Sequence, residues 1–157
     1  MASPTLTALA AAVLRLPGAP ERALEVGCGD GDGVFFLARE FPAARVRGLD
    51  PDEATIREAV ARVGLDPEGR VAFKQGPLRR LPYPDDLFDL AVQRRGRLHP
   101  GELARVLRPG GHALLVGTWR WADWRLRMNG FDSLEPGTAG EVPFLLARRA
   151  EDGGADA

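Results

Sequence analysis

Between Glu25 and Gly31 the chain reads Glu-Val-Gly-Cys-Gly-Asp-Gly, an acid followed by glycine at every second position. Glycines at 27, 29 and 31 can adopt positive φ and carry no Cβ, so a ligand can come close to the backbone there. One apolar run, Ala23 to Val26, leads into the loop, and another, Val34 to Ala38, leads out of it. That order reads as strand, glycine loop, helix, with the first N–H groups of the helix aimed at whatever the loop holds. A second acid, Asp50, closes the alternating run Arg45 to Asp50, 19 positions after Gly31. A carboxylate in that place can accept hydrogen bonds from both hydroxyls of a ribose, which points to an adenosine-bearing cofactor. The competing reading of Asp50 is a helix cap, and that of the loop a glycine-rich turn without a ligand. A dinucleotide fingerprint needs Gly-x-Gly-x-x-Gly. Counted from Gly27 the third glycine falls on Asp32, and counted from Gly29 on Val34, so both registers fail.

Other side chains with reactive potential are sparse. The two histidines and one cysteine lie far apart in sequence, and no metal site is expected. Cys28, between two glycines, reads as a small filler and excludes an internal disulfide. Arg94, Arg95 and Arg97 cluster in one short stretch, as do Trp119, Trp121 and Trp124 in another. Basic and acidic residues number 21 and 22, a net charge of −1, so no global field suggests nucleic acid or an anionic membrane as partner. Lys74 is the one lysine, and the preference for arginine carries no functional reading. With 157 residues, no secretory apolar segment and no membrane-length run, the chain is expected to be one cytoplasmic domain with a real core.

The elements that must position these residues follow from punctuation and periodicity. A helix is expected from Thr5 to Leu16, stopped by Pro17-Gly18. Strands are expected at Ala23–Val26, Arg45–Asp50, Val71–Gln75, Leu87–Gln93 and Ala113–Thr118. Helices are expected at about Gly33–Phe41, Glu53–Val63 and Glu102–Leu107, the last closed by an Arg108-Pro109-Gly110-Gly111 turn. A short helix over Trp119–Met128 precedes two final strands, Phe131–Leu134 and Val142–Ala147, joined by a Pro/Gly turn. Residues 1–150 form the domain, and residues 151–157 read as a disordered tail. Strands alternating with helices give a doubly wound α/β sheet, whose ligands sit at the carboxyl ends of the strands. Asp50, Gly76, Gln93 and Arg94 gather with the glycine loop at that edge.

Four stretches in series resemble the class I S-adenosylmethionine-dependent methyltransferases. They are Glu25-x-Gly27-x-Gly29-x-Gly31, the acid Asp50, Leu81-Pro82-Tyr83-Pro84-Asp85-x-x-Phe88-Asp89-Leu90, and Glu102-Leu103-Ala104-Arg105-Val106-Leu107-Arg108-Pro109-Gly110-Gly111. Their order and spacing match across about residues 22 to 118. The resemblance implies a three-layer sandwich around one mostly parallel, seven-stranded sheet whose last strand is antiparallel. It implies S-adenosyl-L-methionine as cofactor and methyl transfer to an unidentified acceptor, a small molecule in the first instance. The alternative is a binding module that keeps the fold without turnover.

Residue by residue, the resemblance gives Glu25, Gly27, Cys28, Gly29, Asp30 and Gly31 to the methionine part of the cofactor. Asp50 and Pro51 go to the ribose, Gly76, Pro77 and Leu78 to the adenine, and Gln93 to the floor near the methyl group. Many relatives carry Gly-Asp after the third strand. This chain has Gly76-Pro77, and proline offers neither an acceptor side chain nor an N–H. His99 occupies a place where relatives often carry histidine, and is a candidate base against the reading of a loop histidine without a catalytic role. Arg94, Arg97 and Trp121 are candidates for an acceptor rim that would take an anionic, partly aromatic substrate. The same arginines and tryptophans could instead make a homodimer surface or serve structure alone. The chain is short for the family, so the acceptor site is expected to be open, completed by a partner subunit, or absent.

Overall fold

Residues 2–153 are described by a computed structural model. The chain runs α1 (Pro4–Ala12), β1 (Arg22–Val26), α2 (Asp32–Glu40), β2 (Arg45–Asp50), α3 (Glu53–Ala61), β3 (Val71–Gln75), β4 (Phe88–Gln93), α4 (Pro100–Val106), β5 (Leu107–Val116), α5 (Ala122–Arg127), β6 (Phe131–Ala139) and β7 (Val142–Arg149). One seven-stranded sheet has the order β3-β2-β1-β4-β5-β7-β6. Pairs from β3 through β5 are parallel, and β7 runs antiparallel to both β5 and β6. The expected sheet, with its antiparallel last strand, is the one observed.

Alternation along the strands divides the core between two faces. Leu24, Val26, Leu49 and Leu115 bury one face with Leu103 of α4 and Leu126 of α5. Ala23, Val46, Leu114 and Val116 bury the other with Leu9 of α1, Leu37 of α2 and Ile56 of α3. Helices start where the sequence supplies caps: the Ser3 side chain accepts from Leu6 N at 3.2 Å, and Asp52 accepts from Thr55 N at 3.1 Å. Asp89 ties the sheet's centre together, its carboxylate accepting from Glu21 N at 2.8 Å and Arg22 N at 3.2 Å at the entry to β1.

Several boundaries differ from the sequence reading, each for a physical reason. The first helix is shorter, because Val13–Arg15 tightens into a 3-10 turn before Pro17. Arg108-Pro109-Gly110-Gly111 is a bulge inside β5 and does not precede that strand: the register jumps from Phe88 opposite Leu107 to Leu90 opposite His112. The closing hairpin turns at Gly140-Glu141, between the paired Ala139 and Val142, and not at Pro136-Gly137. Pro136 lies within β6, an edge strand, where one side of the strand needs no ladder donor. Between β3 and β4 the chain is irregular, with prolines at 77, 82 and 84, so the sheet face opposite α2 and α3 has no helix over β2 and β3. Of the expected tail, residues 151–153 are exposed and irregular, and residues 154–157 lie outside the described residues.

Candidate functional site

The carboxyl ends of β1, β2, β3 and β4 meet at the glycine loop. Gly27 N and Cys28 N both donate to Leu49 O, at 2.8 and 2.9 Å, which folds the loop back over the end of β2. Gly27, Gly29 and Gly31 all have positive φ, at 72°, 55° and 96°. Gly31 opens α2, which no side chain caps. Asp50, 8 % exposed, closes the loop from the other side. One of its oxygens accepts from Gly29 N at 3.0 Å and the other from Asp52 N at 2.9 Å. A carboxylate has about four acceptor positions, so two stay unused within the described residues.

The space left by each missing Cβ is already assigned. A Cβ on Gly27 would stand 2.9 Å from Arg95 O, and one on Gly29 would stand 2.5 Å from Arg95 Nη1. On Gly31 it would meet the Phe73 and Phe35 rings at 2.8 and 2.9 Å, and on Gly33 the Glu25 carboxylate at 2.4 Å. Arg95 therefore lies along the loop with its guanidinium over Gly29. It joins no ion pair among the described residues. The sequence placed Arg95 at this edge with its neighbours but gave it no role toward the loop.

Two of the residues expected to contact a ligand pair with each other. Glu25 and Arg94 form a buried pair, Nε to Oε2 at 2.7 Å, with the side chains 0 % and 1 % exposed. Arg94 also donates to Thr5 Oγ1 at 3.2 Å, joining α1 to the site. Arg94 is thus not on the acceptor rim, and Glu25 turns its charge to Arg94. Burial pushes the Glu25 carboxyl above its ordinary range, and Arg94 opposes that shift. A strand acid buried beside β4 must find a cation, and the run Arg94-Arg95 was the signal for it.

The other expected residues fall as follows. Cys28 is fully buried, and burial pushes its thiol up to about 12, so it is filler beneath the loop. Asp30 accepts from Asp32 N at 3.3 Å and faces Arg62 of the turn after α3. Pro51 is exposed, and its carbonyl accepts from Gln75 Nε2 at 3.2 Å. Gly76 N donates to Asp50 O at 3.1 Å, Pro77 is exposed, and Leu78 packs onto Gly96. Gln93 spends both amide hydrogens on its own loop, donating to Arg95 O at 3.0 Å and Arg97 O at 2.8 Å. It shapes the 94–98 turn rather than presenting a bare floor. Trp119 Nε1 closes the same turn on Gly96 O at 2.9 Å.

Arg97 and Trp121 stay exposed, Trp121 at 66 %. His99 lines a separate hollow with Arg79, Trp124, Arg125 and Met128. Burial first, then Arg125 and Arg97, push its pKa below the usual value, so it is neutral at pH 7 and can accept a proton. Among the described residues no cluster of His, Cys, Asp and Glu could hold a metal ion, and no helix is long and apolar enough to cross a membrane.

The chain matches the methyltransferase domain family over residues 23–111, more than half its length, and belongs to that family. It is 40 % identical over 101 residues to a fatty-acid O-methyltransferase of Mycolicibacterium smegmatis, covering 60 % of this chain and 36 % of that one. The chain thus spans about a third of the length of the curated relatives it matches. Its fold is similar to that of phosphoethanolamine N-methyltransferase 2 of Haemonchus contortus in complex with S-adenosyl-L-methionine, with TM-score 0.78 and 16 % identity over 91 % of this chain and 52 % of that one. It is also similar to an S-adenosylmethionine-dependent methyltransferase from Mesorhizobium loti, with TM-score 0.69 and 20 % identity over 89 % and 96 % of the two chains. The class I methyltransferase membership expected from the four motifs is the one found.

Proposed function

We propose that this chain binds S-adenosyl-L-methionine along the glycine loop and transfers its methyl group to a small-molecule acceptor. The observation that carries the reading is the Asp50 carboxylate, fixed to Gly29 N at the mouth of a loop of positive-φ glycines with two acceptor positions unused. In this reading Asp50 takes the ribose hydroxyls, Leu78 packs on adenine, and the Arg95 guanidinium takes the carboxylate of the amino-acid end. Transfer is a direct displacement at the methyl carbon: the acceptor's lone pair forms the new bond, and the carbon–sulfur pair stays on sulfur. The protein's part is alignment and exclusion of water. A carboxylate acceptor is already ionised and needs no base, which agrees with His99 lining a separate hollow.

The first acceptors to try are lipid carboxylates, on the strength of the relative's name. Arg97 and Trp121 would hold them at the open edge. A second reading, cofactor binding without turnover, is favoured by Pro77, which leaves the adenine amino group without the acid found in many relatives. The cytoplasmic setting and a homodimer through Trp121 and Trp124 belong to the same proposal. Calorimetry with S-adenosylhomocysteine and with NAD tests the cofactor. Binding of NAD and none of S-adenosylhomocysteine would reject the reading. Methyl-ester formation from labelled cofactor then separates an enzyme from a binding module.

A further inference from the structure

Away from the carboxyl edge, the missing helix between β3 and β4 leaves a groove of about 590 Å³ on the sheet face. Its floor is Ala72, whose small side chain lies between Arg47 of β2 and the β3–β4 connection. Its apolar wall is Tyr83 stacked edge-on against Phe88, with ring centroids 5.0 Å apart. Every charged side chain that lines it is a cation: Arg22, Arg45, Arg47 and Lys74.

Lys74 is engaged within the chain, its Nζ 5.0 Å from the Tyr83 ring centroid and donating to Pro82 O at 3.4 Å, but two other features of this groove have no such partner. Arg22 and Arg45 are direct cross-strand partners, and Arg47 follows on the same face. None of the four cations joins an ion pair among the described residues. Arg45 and Arg47 donate only to backbone carbonyls, of Glu68 and Arg70 among others, which satisfies N–H groups without neutralising charge. The second feature is the Tyr83 hydroxyl. The residue is 8 % exposed, and its oxygen is buried without a hydrogen-bond partner among the described residues. Buried hydroxyls in folded proteins nearly always have a partner. Like charges over an apolar floor call for an anionic head on an apolar body.

We propose that this groove is a binding site for an amphipathic anion, its carboxylate or phosphate head held by Arg22, Arg45 and Arg47 and its apolar tail lying along Ala72, Tyr83 and Leu87. The volume suits one such molecule, since small-ligand sites run from roughly 300 to 1,000 Å³. Arg22 and Arg45 stand at the entry to β1 and β2, the opposite end of those strands from the glycine loop. The site is therefore separate from the proposed cofactor and acceptor edge.

Tyr83 is the chain's only tyrosine, so 3-fluorotyrosine labelling gives one fluorine signal that reports this groove. The probes are decanoate, decyl phosphate, decanol and inorganic phosphate, added to protein saturated with S-adenosylhomocysteine. Decanoate or decyl phosphate should shift the Tyr83 signal saturably, while decanol and inorganic phosphate bind at least about tenfold more weakly, the scale of losing a charge-assisted bond or the tail's burial. Arg47→Gln and Arg45→Gln should each lower the affinity about tenfold, with Arg57→Gln on the exposed face of α3 as the unchanged control. If decyl phosphate wins over decanoate, the head is a phosphate; the reverse makes it a carboxylate. Equal binding of decanol, equal binding of inorganic phosphate, or a shift abolished by Arg97→Gln and not by Arg47→Gln would each overturn the proposal. Acceptor binding at the catalytic edge would move with Arg97, so failure of one site does not mimic failure of the other.

Discussion

Two loops meet over the ends of β1 and β4, and they are made of opposite materials. The first, residues 27–31, is nearly all backbone, held in shape by Leu49 O and the Asp50 carboxylate. The second, residues 94–98, is nearly all side chain, three arginines disposed by Gln93 from within and Trp119 from outside. A backbone loop offers geometry and little charge; an arginine loop offers charge that can be redirected. In this chain the second loop lies on the first: Arg94 is sunk into the sheet against Glu25, and Arg95 is laid along the glycines. Glycines at 27 and 29 therefore make room for a neighbouring arginine as much as for a ligand.

The sharpest break in that comparison is Arg94→Met, which leaves Glu25 buried without its cation. We expect a loss of about 3–5 kcal/mol in urea unfolding, the scale for orphaning one half of a buried pair. Since burial raises the Glu25 pKa, the folded state binds more protons than the unfolded one over that range. The penalty should therefore grow as pH rises, and be smaller at pH 5 than at pH 8. Arg97→Met, at an exposed position of the same loop, should stay within about 0.5 kcal/mol of the parent. Equal stabilities for the two variants would show that Glu25–Arg94 is not a structural pair.

The remaining effects are on cofactor affinity and are smaller. Asp50→Ala should weaken S-adenosylhomocysteine binding by about 1–3 kcal/mol, and an unchanged calorimetric Kd would remove Asp50 as the ribose ligand. Arg95→Ala tests whether the arginine over Gly29 is a ligand or an occluding lid. As a ligand for the carboxylate it should lower affinity by about 1 kcal/mol, and tighter binding on its removal would make it an obstacle. Pro77→Asp should tighten binding by about 0.5–1.5 kcal/mol if adenine lacks an acceptor there. Weaker binding by a folded variant would place the adenine elsewhere.

Much of the first loop was legible in the sequence because it is local. Alternating glycines and a strand-ending acid define Asp50 and residues 27–31 without reference to anything distant. The second loop was misread because its partners come from far along the chain: Arg94 finds Glu25 across 69 positions and Thr5 across 89. Spacing on one strand cannot tell which of three arginines turns inward. Similarly, Pro109-Gly110-Gly111 looks like a turn in isolation and becomes a bulge only because β4 and β7 flank it. The β3–β4 connection was read as a loop from its prolines. What holds it, Arg105 donating to Leu81 O and Tyr83 O while Glu102 receives Leu81 N, depends on α4 lying alongside.

The Asp89 clamp also bears on the order in which the molecule can be made. Its carboxylate accepts the N–H groups of Glu21 and Arg22 from 68 and 67 positions away, and the same strand, β4, covers one whole side of β1. A nascent chain that has emerged only as far as β3 can pair β1 with β2 but leaves the other edge of β1 unpaired, in the middle of the future sheet. Unpaired hydrophobic edges are where partly made proteins associate wrongly. Loop closure over such a span adds only slowly with length, so the delay is set by synthesis at about 5–20 residues per second rather than by chain entropy. The half of the protein that carries the glycine loop thus waits on the ribosome for Asp89.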